Sequence, residues 1–282
     1  MALQANLPPT YLYELFWNSR GTGSKSFPGL IGELCKKHKL DFLAILETRT
    51  GGEKARRIAK RLGFTNFEIV DAQGYSGGIW VLWNDDSWKF EILGTHDQFV
   101  HVCLDIRTQR TFFIAVYAHP NPIKQRVVWR ALLDISNTVT GPWCIGGDFN
   151  ATLHMHDRHS FSRTGSCVDR DFSEWVSNMN LLDMGCKGPF FTWRRNGCES
   201  RLDRILVNSD FMLTYLNASV VHLPFLKSDH HPLWLRLNSE EARPNHREVP
   251  FRFVASWTLH ENFESFVRDS WNVETNWLEN MA

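Results

Sequence analysis

Short apolar runs that stop at a polar residue recur along this chain. YLYELFW is followed by Asn18, FLAIL by Glu47, FFIAV by Tyr117 and PWCIGG by Asp148. Runs of this length, bounded by turn residues, read as buried strands. Polar groups at several strand ends predict one common rim, because ligands of α/β sheets gather where strands finish. Between the runs, apolar residues repeat at helical spacing. Leu30, Ile31, Leu34 and Cys35 mark residues 27–39, and Ala55, Ile58, Ala59 and Leu62 mark residues 52–62. Residues 124–138 and 169–179 read as two more amphipathic helices.

Two strand-rich blocks complete the pattern. GGIWVLWN, WKFEILG, FVHVCLDI and TFFIAVY are separated by short polar turns, as in an antiparallel meander. PFFTWRR, SRLDRILV, ASVVHL and HPLWLRL form the second block. Two mainly antiparallel sheets packed face to face with helices outside, a four-layer α/β/β/α sandwich, accommodate this order. The domain is expected over residues 11–238. Residues 239–250, polar with two prolines, read as a linker. Residues 251–282 read as a helical tail, with Phe263, Phe266, Val267 and Trp271 at helical spacing.

Composition narrows the function. The 282 residues carry 31 Lys+Arg against 31 Asp+Glu. This balance argues against a protein held on nucleic acid by bulk positive charge, and it predicts weak, salt-limited attachment to any polyanion. A bound cation and a local patch remain compatible with phosphate chemistry. The first ten residues have neither a basic start nor an apolar run, which argues against a secretory signal. No stretch has the length to span a bilayer. Cysteines 35, 103, 144, 167, 186 and 198 form no CxxC pair, so zinc and thioredoxin-type readings fail and reduced intracellular thiols are expected.

The densest chemistry lies in WCIGGDFN (143–150) and SDHH (228–231). Asp148 and Asn150 stand two apart. On an extended backbone they share a face while Phe149 turns to the core. The competing reading is an Asx turn after a strand. Ser228, Asp229 and His230 supply an acceptor, an anion and a group that titrates near neutral pH.

WNSRG, LAILET, AVYAHP, GGDFN, RLDRILV and SDHHPL occur in that order over residues 15–237. The set resembles the endonuclease/exonuclease/phosphatase superfamily, the fold of DNase I and the abasic-site endonucleases. PFFTWRRNG, and the segment PFRFVASWTLHENFESFVRDSWN, further resemble the endonuclease region of plant LINE-type non-LTR retrotransposons, where such a tail leads toward a reverse transcriptase. No polymerase motif is present, so the chain resembles a stand-alone fragment or truncated copy of such an element.

The resemblance implies a monomeric, nuclear, intracellular enzyme that hydrolyses DNA phosphodiesters with Mg²⁺, Mn²⁺ being a substitute. It implies Glu47 as the metal ligand, with Asn18 nearby and Asp229 assisting. Asp148 is implied as the base and Asn150 as the holder of the water or of a phosphate oxygen. His230 is implied on the scissile phosphate with Asp203 as its partner, and Tyr117 and Asn18 as donors to phosphate oxygens. Thr192 is implied as a DNA-backbone contact, and Ser228 joins it on the DNA side.

The Asn196-Gly197 pair is a type I′ hairpin signal. Arg194, Arg195 and Asn196 at that turn read equally as a phosphate or minor-groove contact and as a solvated hairpin. The His154, His156 and His159 group has spacing that suits a metal, with a solvated loop preferred. The basic run at 54–61 reads as a solvated helix face. Two rival functions stand beside the nuclease. One is a phosphoesterase of the same superfamily acting on lipid, sugar or nucleotide phosphates; the other is a catalytically silent remnant that only binds nucleic acid.

Overall fold

A computed structural model describes residues 11–84, 88–106, 109–160 and 168–238, together with Ser265 and Arg268. The chain opens with β1 (Tyr11–Asn18), α1 (Phe27–His38), β2 (Phe42–Leu46), α2 (Gly52–Ala59), β3 (Asn66–Val70) and β4 (Ile79–Trp83). It continues through β5 (Phe90–His96), β6 (Phe99–Ile106), β7 (Gln109–Tyr117), α3 (Pro122–Ser136) and β8 (Trp143–Asp148). A 3-10 turn at Met155–Asp157 precedes β9 (Arg158–Ser160), α4 (Arg170–Asn178) and β10 (Leu182–Asp183). The hairpin β11 (Trp193–Arg195) and β12 (Cys198–Ser200) leads to β13 (Asp203–Val207), α5 (Ser209–Thr214), β14 (Ser219–His222) and β15 (Leu233–Asn238).

The strands form two six-stranded sheets, ordered β14-β15-β1-β2-β4-β3 and β10-β13-β8-β7-β6-β5, and a small sheet β11-β12-β9. One apolar cluster lies between the large sheets and draws Phe16, Phe42 and Val81 from the first and Val102, Phe113 and Ile205 from the second. A second packs Trp129 of α3 and Phe172 of α4 on the outer face of β7 and β8. A third packs Ile31 of α1 and Ala55 of α2 on the outer face of β1 and β2. The four-layer α/β/β/α sandwich is therefore present. Because both faces of the central strands are covered, β2, β4 and β8 are buried at every position and read as continuous apolar runs. The edge strand β5 alternates instead.

The expected four-strand meander is corrected. β4 pairs with β2 and β3 in the first sheet, whereas β5, β6 and β7 form the meander in the second. The second strand block divides likewise: β13 pairs with β8, while β15 pairs with β1. Each sheet therefore contains strands from both halves of the sequence. Local order reveals strands but not which sheet accepts them.

Helix boundaries follow the capping chemistry. α3 starts at Pro122, ahead of the expected residue 124, because Asn121 accepts the Ile123 N–H at 2.9 Å and Pro122 needs no donor partner there. α5 was not expected from the sequence; the Asn208 side chain caps it by accepting from Phe211 N at 3.0 Å. At Gly147 the backbone has φ +137°, and an added Cβ would stand 2.1 Å from the Val116 carbonyl oxygen. Only glycine lets β8 lie this close to β7 and deliver Asp148 to the rim.

Chain contacts divide at residue 241, with 242–282 as a separate unit. The expected linker 239–250 and tail 251–282 lie outside the described residues, apart from Ser265 and Arg268, which are helical. Among the described residues no helix is long and apolar enough to cross a membrane.

Glu14 interrupts the apolar inward face of β1 between Leu12 and Phe16. It is fully buried, and neither carboxylate oxygen has a hydrogen-bond partner. Burial, reinforced by the charge of Asp41, raises its pKa well above the ordinary value, so the side chain sits in the core protonated. Below its unfolded pKa of about 4.3 such a group adds no protonation penalty to folding. Above it the penalty grows as pH rises toward the folded value. Glu14→Met should stabilise the protein by about 1–3 kcal/mol, the usual cost of an unsatisfied buried polar group, and by more at pH 7.5 than at pH 4. Calorimetric unfolding at both pH values checks this; a loss of stability at pH 7.5 would contradict it.

Candidate active site

The strand ends share one rim because the register makes them end together. β1 and β2 are parallel, with Asn18 opposite Leu46, so Asn18 and Glu47 emerge side by side from the first sheet. In the second sheet Asp148 stands opposite Tyr117 of parallel β7 and opposite Asp203 of antiparallel β13. Asn18 joins the two groups: its Nδ2 donates to Glu47 Oε2 at 2.9 Å and to Asp148 Oδ2 at 2.8 Å. The SDHH segment closes the rim. Ser228 Oγ donates to the Asn18 carbonyl at 2.7 Å and accepts from His230 N at 3.1 Å.

His230 and Asp203 form a buried pair, Nδ1 to Oδ2 at 2.9 Å, with Asp148 Oδ2 3.9 Å from the same ring nitrogen. Burial, the largest influence on His230, opposes its charge, but Asp203 and then Asp148 outweigh it and lift the pKa to about 9. His230 is thus cationic at neutral pH, and with Nδ1 engaged it has Nε2 to offer. For Asp148, burial and the neighbouring Asp203 raise the pKa to about 7, against the opposing pull of His230, Asn18 and the Asn150 N–H. A carboxylate poised there suits a proton acceptor at physiological pH. Burial, with Glu47 and Asp148 acting the same way, pushes the Tyr117 phenol up, so it stays a neutral donor.

Several expected roles change on geometric grounds. Asn150 is not extended: φ is +47°, and its N–H bonds Asp148 Oδ1 at 2.8 Å, an Asx turn. Its Nδ2 donates to the Ala118 carbonyl at 2.8 Å and to Asp148 Oδ2 at 3.2 Å. Asn18 likewise spends its amide donors on carboxylates, and its Oδ1 accepts Arg20 N at 3.0 Å. In this arrangement the amide nitrogens of both asparagines hold the acids in place. Thr192 is fully buried, so it cannot touch a DNA backbone. Its Oγ1 instead accepts Leu202 N and Asp203 N, each at 3.0 Å, which fixes Asp203 for His230.

Asp229 reaches the rim through Arg20, Nε to Oδ1 at 3.2 Å, and accepts Trp193 Nε1 at 3.2 Å. Asn196-Gly197 forms the expected two-residue hairpin turn between Arg195 and Cys198, with φ +49° at Asn196 and +72° at Gly197. Arg194, Arg195 and Asn196 are exposed there, and Arg194 pairs with Glu199 across the hairpin. The hairpin is tied to the site through an antiparallel bridge between Trp193 and His230 and by Arg194 N donating to the Asp229 carbonyl at 3.1 Å.

Two arginines escaped the sequence reading. Arg49 binds Glu47 Oε1 through Nε at 3.0 Å and through Nη2, and Arg20 Nη1 lies 3.6 Å from Oε2. Each follows its motif residue by two positions, in WNSRG and LETRT, and that spacing was the available signal. A buried network also went unread: Arg204, fully buried, pairs with Asp157 and Asp183 and so holds the turn at Met155–Asp157 onto β13.

Glu47 suits a divalent cation. It is a nearly buried carboxylate that already attracts two guanidinium groups, and hard cations take carboxylate oxygens with few protein ligands. Among the described residues, Asp148, Asp203 and His230 are the one group that brings three potential ligand atoms within 4.8 Å of one another. His154, His156 and His159 do not; the first two stack, with ring centroids 5.2 Å apart.

The model of the Endonuclease/Exonuclease/phosphatase family matches residues 15–230. Over 135 residues, 45% of the chain, the sequence is 30% identical to the Transposon TX1 uncharacterized 149 kDa protein of Xenopus laevis, and spans 10% of that protein's length. AP endonuclease LMAP from Leishmania major has a similar structure, with TM-score 0.65 at 16% identity over 82% of this chain and 89% of its own. So does the endonuclease domain of TRAS1, a telomere-specific non-LTR retrotransposon, with TM-score 0.61 at 16% identity over 82% of this chain and 100% of its own. An AP endonuclease from Archaeoglobus fulgidus gives 0.58 at 17% identity over 79% and 98%.

The elevated His230 pKa carries a stability term that is complete below about pH 6.5 and fades as pH passes through about 9. Imidazole C–H resonances should show His230 titrating near pH 9 in the wild type. In Asp203→Asn the midpoint should fall by more than about one unit, since the adjacent anion is gone. An unchanged midpoint would contradict the pairing.

Proposed function

The chain belongs to the endonuclease/exonuclease/phosphatase family, whose members hydrolyse phosphoesters, and we propose that it is a retrotransposon-type DNA endonuclease. In this reading it nicks a target strand with Mg²⁺ and leaves a 3′ hydroxyl. The observation that carries it is the bridge from Glu47 through Asn18 to Asp148, with the His230–Asp203 pair beside it. The hairpin bearing Arg194, Arg195 and Asn196 next to His230 favours a polymeric substrate over a small ester.

Glu47 would hold the divalent cation, which would supply charge neutralisation at the scissile phosphate and the departing oxygen. Asp148, oriented by Asn18 and Asn150, accepts a proton from the attacking water. The water oxygen bonds to phosphorus as the phosphorus–O3′ bond breaks. Cationic His230, held by Asp203, faces a phosphoryl oxygen through Nε2 and stabilises the charge that builds there. Tyr117 donates to the same phosphoryl group. Thr192 and Ser228 act behind this set, the first on Asp203 and the second on His230. Asp229 positions Arg20 rather than binding the cation directly. The resemblance to plant LINE-type elements adds a use for the product, a primer for reverse transcription by a domain outside this chain.

The test is nicking of supercoiled plasmid, beside abasic duplex and small phosphate esters. Activity should vanish in EDTA and return with Mg²⁺. Asp148→Asn and His230→Ala should each lower the rate by at least about 100-fold, the usual scale for a lost base or charge stabiliser. Full activity in either variant would overturn the assignment, and faster turnover of a small ester than of plasmid would favour the other phosphoesterase reading.

A further inference from the structure

The rim carries a charge arrangement that the hydrolytic reading leaves unused. Glu47, Asp148, Asp203 and Asp229 face one another, and among them stand the cations Arg20, Arg49 and His230. Arg49 lies on the carboxylate assigned to the metal, and Arg20, whose Nε is 3.2 Å from Asp229, stands 3.6 Å from it through Nη1. The Arg20 and Arg49 side chains are 29% and 35% exposed, while that of Glu47 is 8% exposed. The acid is the buried partner and the guanidinium groups are the solvent-accessible ones.

The backbone aims them deliberately at that acid. Arg20, Glu47 and Arg49 all have left-handed φ, at 52°, 51° and 51°, a conformation that costs non-glycine residues energy and persists only where neighbours enforce it. The enforcement is visible. Ser19 N donates to the Leu46 carbonyl at 3.0 Å, Thr22 N to the Thr48 carbonyl at 3.1 Å, and Arg49 N to the Gly77 carbonyl at 3.0 Å. Gly78 closes the clamp, since a Cβ there would stand 2.3 Å from Thr48 Oγ1. The contact itself is incomplete, however. Arg49 directs both Nε and Nη2 to the single oxygen Oε1 and does not match its fork to two oxygens. A phosphodiester offers the fork two oxygens at once, the stronger arrangement.

We propose that Arg20 and Arg49 are exchangeable counter-ions of Glu47. Before substrate arrives they occupy the carboxylate and hold off the divalent cation. An incoming phosphodiester draws them onto its oxygens and releases Glu47 to bind the cation. Cation and nucleic acid therefore bind with positive coupling, and the coupling resides in the arginines. This inference rests on the nuclease reading for the identity of the polyanion, but the competition for Glu47 does not need it.

The test is Mn²⁺ binding to the whole chain, followed by electron paramagnetic resonance, with and without a duplex carrying non-cleavable methylphosphonate linkages flanked by ordinary phosphates. Wild type should bind Mn²⁺ at least about 10-fold more tightly with the duplex, and Mn²⁺ should tighten duplex binding by the same factor, as linkage requires. The variant R20Q/R49Q should bind Mn²⁺ at least about 5-fold more tightly than wild type without DNA, and the duplex should then add less than about 3-fold. Lys227→Gln removes an exposed charge beside the SDHH segment without touching Glu47 and should leave Mn²⁺ affinity within about twofold of wild type.

Equal Mn²⁺ affinity in wild type and R20Q/R49Q overturns the proposal. So does the same tightening in Lys227→Gln, which would mean charge alone, and so does full duplex coupling in R20Q/R49Q, which would place it in direct metal–phosphate contact. Failure of the duplex to bind, seen by fluorescence anisotropy, while R20Q/R49Q still tightens Mn²⁺, would remove the DNA reading and sustain the competition for Glu47.

Discussion

The Asn18 amide is the joint on which the site turns. Two sheets packed face to face have independent hydrogen-bond ladders, and their strand ends have no intrinsic reason to agree in position. One Nδ2 group, 2.9 Å from Glu47 and 2.8 Å from Asp148, fixes a carboxylate of each sheet to the other. It works only because Asn18 is wholly buried at the end of β1, the strand that touches β2 in its own sheet and whose Phe16 ring meets Gly146 of β8 across the core. Asn18 also anchors the SDHH segment through its carbonyl. Loss of the amide would leave two acids without a shared donor in a low-dielectric setting, where unpaired charge is costly.

Much of this was legible in the sequence, and the legible part has a common cause. Strands covered on both faces need apolar side chains throughout, so the polar residue that ends each run stands out. That is why Asn18, Glu47, Tyr117 and Asp148 could be read to one rim. What failed was whatever depends on long-range pairing or on backbone hand. Sheet membership of IWVLW was misread because an antiparallel neighbour in sequence need not be one in space. The extended spacing applied to Asp148 and Asn150 failed because Asn150 is left-handed. Arg20 and Arg49 were overlooked for a related reason: nothing in a non-glycine residue announces a left-handed φ, and that conformation is what turns them onto Glu47. Thr192 was placed on the surface by resemblance, while its full burial follows from the hairpin folding over β13.

Buried charge is handled in two ways in this fold. Arg204 enters the protein interior already matched, to Asp157 and Asp183, and that pairing staples the turn at Met155–Asp157 to the strand bearing Asp203. Asp157 also receives Leu153 N at 2.8 Å and His154 N at 2.6 Å, so its negative charge is solvated by the chain itself. Glu14 has no such company and survives by keeping its proton. The contrast follows from position. Arg204 on β13 faces the 3-10 turn and β10, which supply Asp157 and Asp183 as partners, whereas Glu14 lies between two sheets whose polar groups are committed to their own ladders.

The β11–β12 hairpin meets the rim through its base, at Trp193 and Arg194, while Asn196 and Gly197 form its exposed tip. The part that holds the acids and the part that faces solvent are thereby distinct. Substitutions at the tip can change what the hairpin presents to solvent while Asn18 and Thr192, from beneath, keep the acids and the imidazole in register.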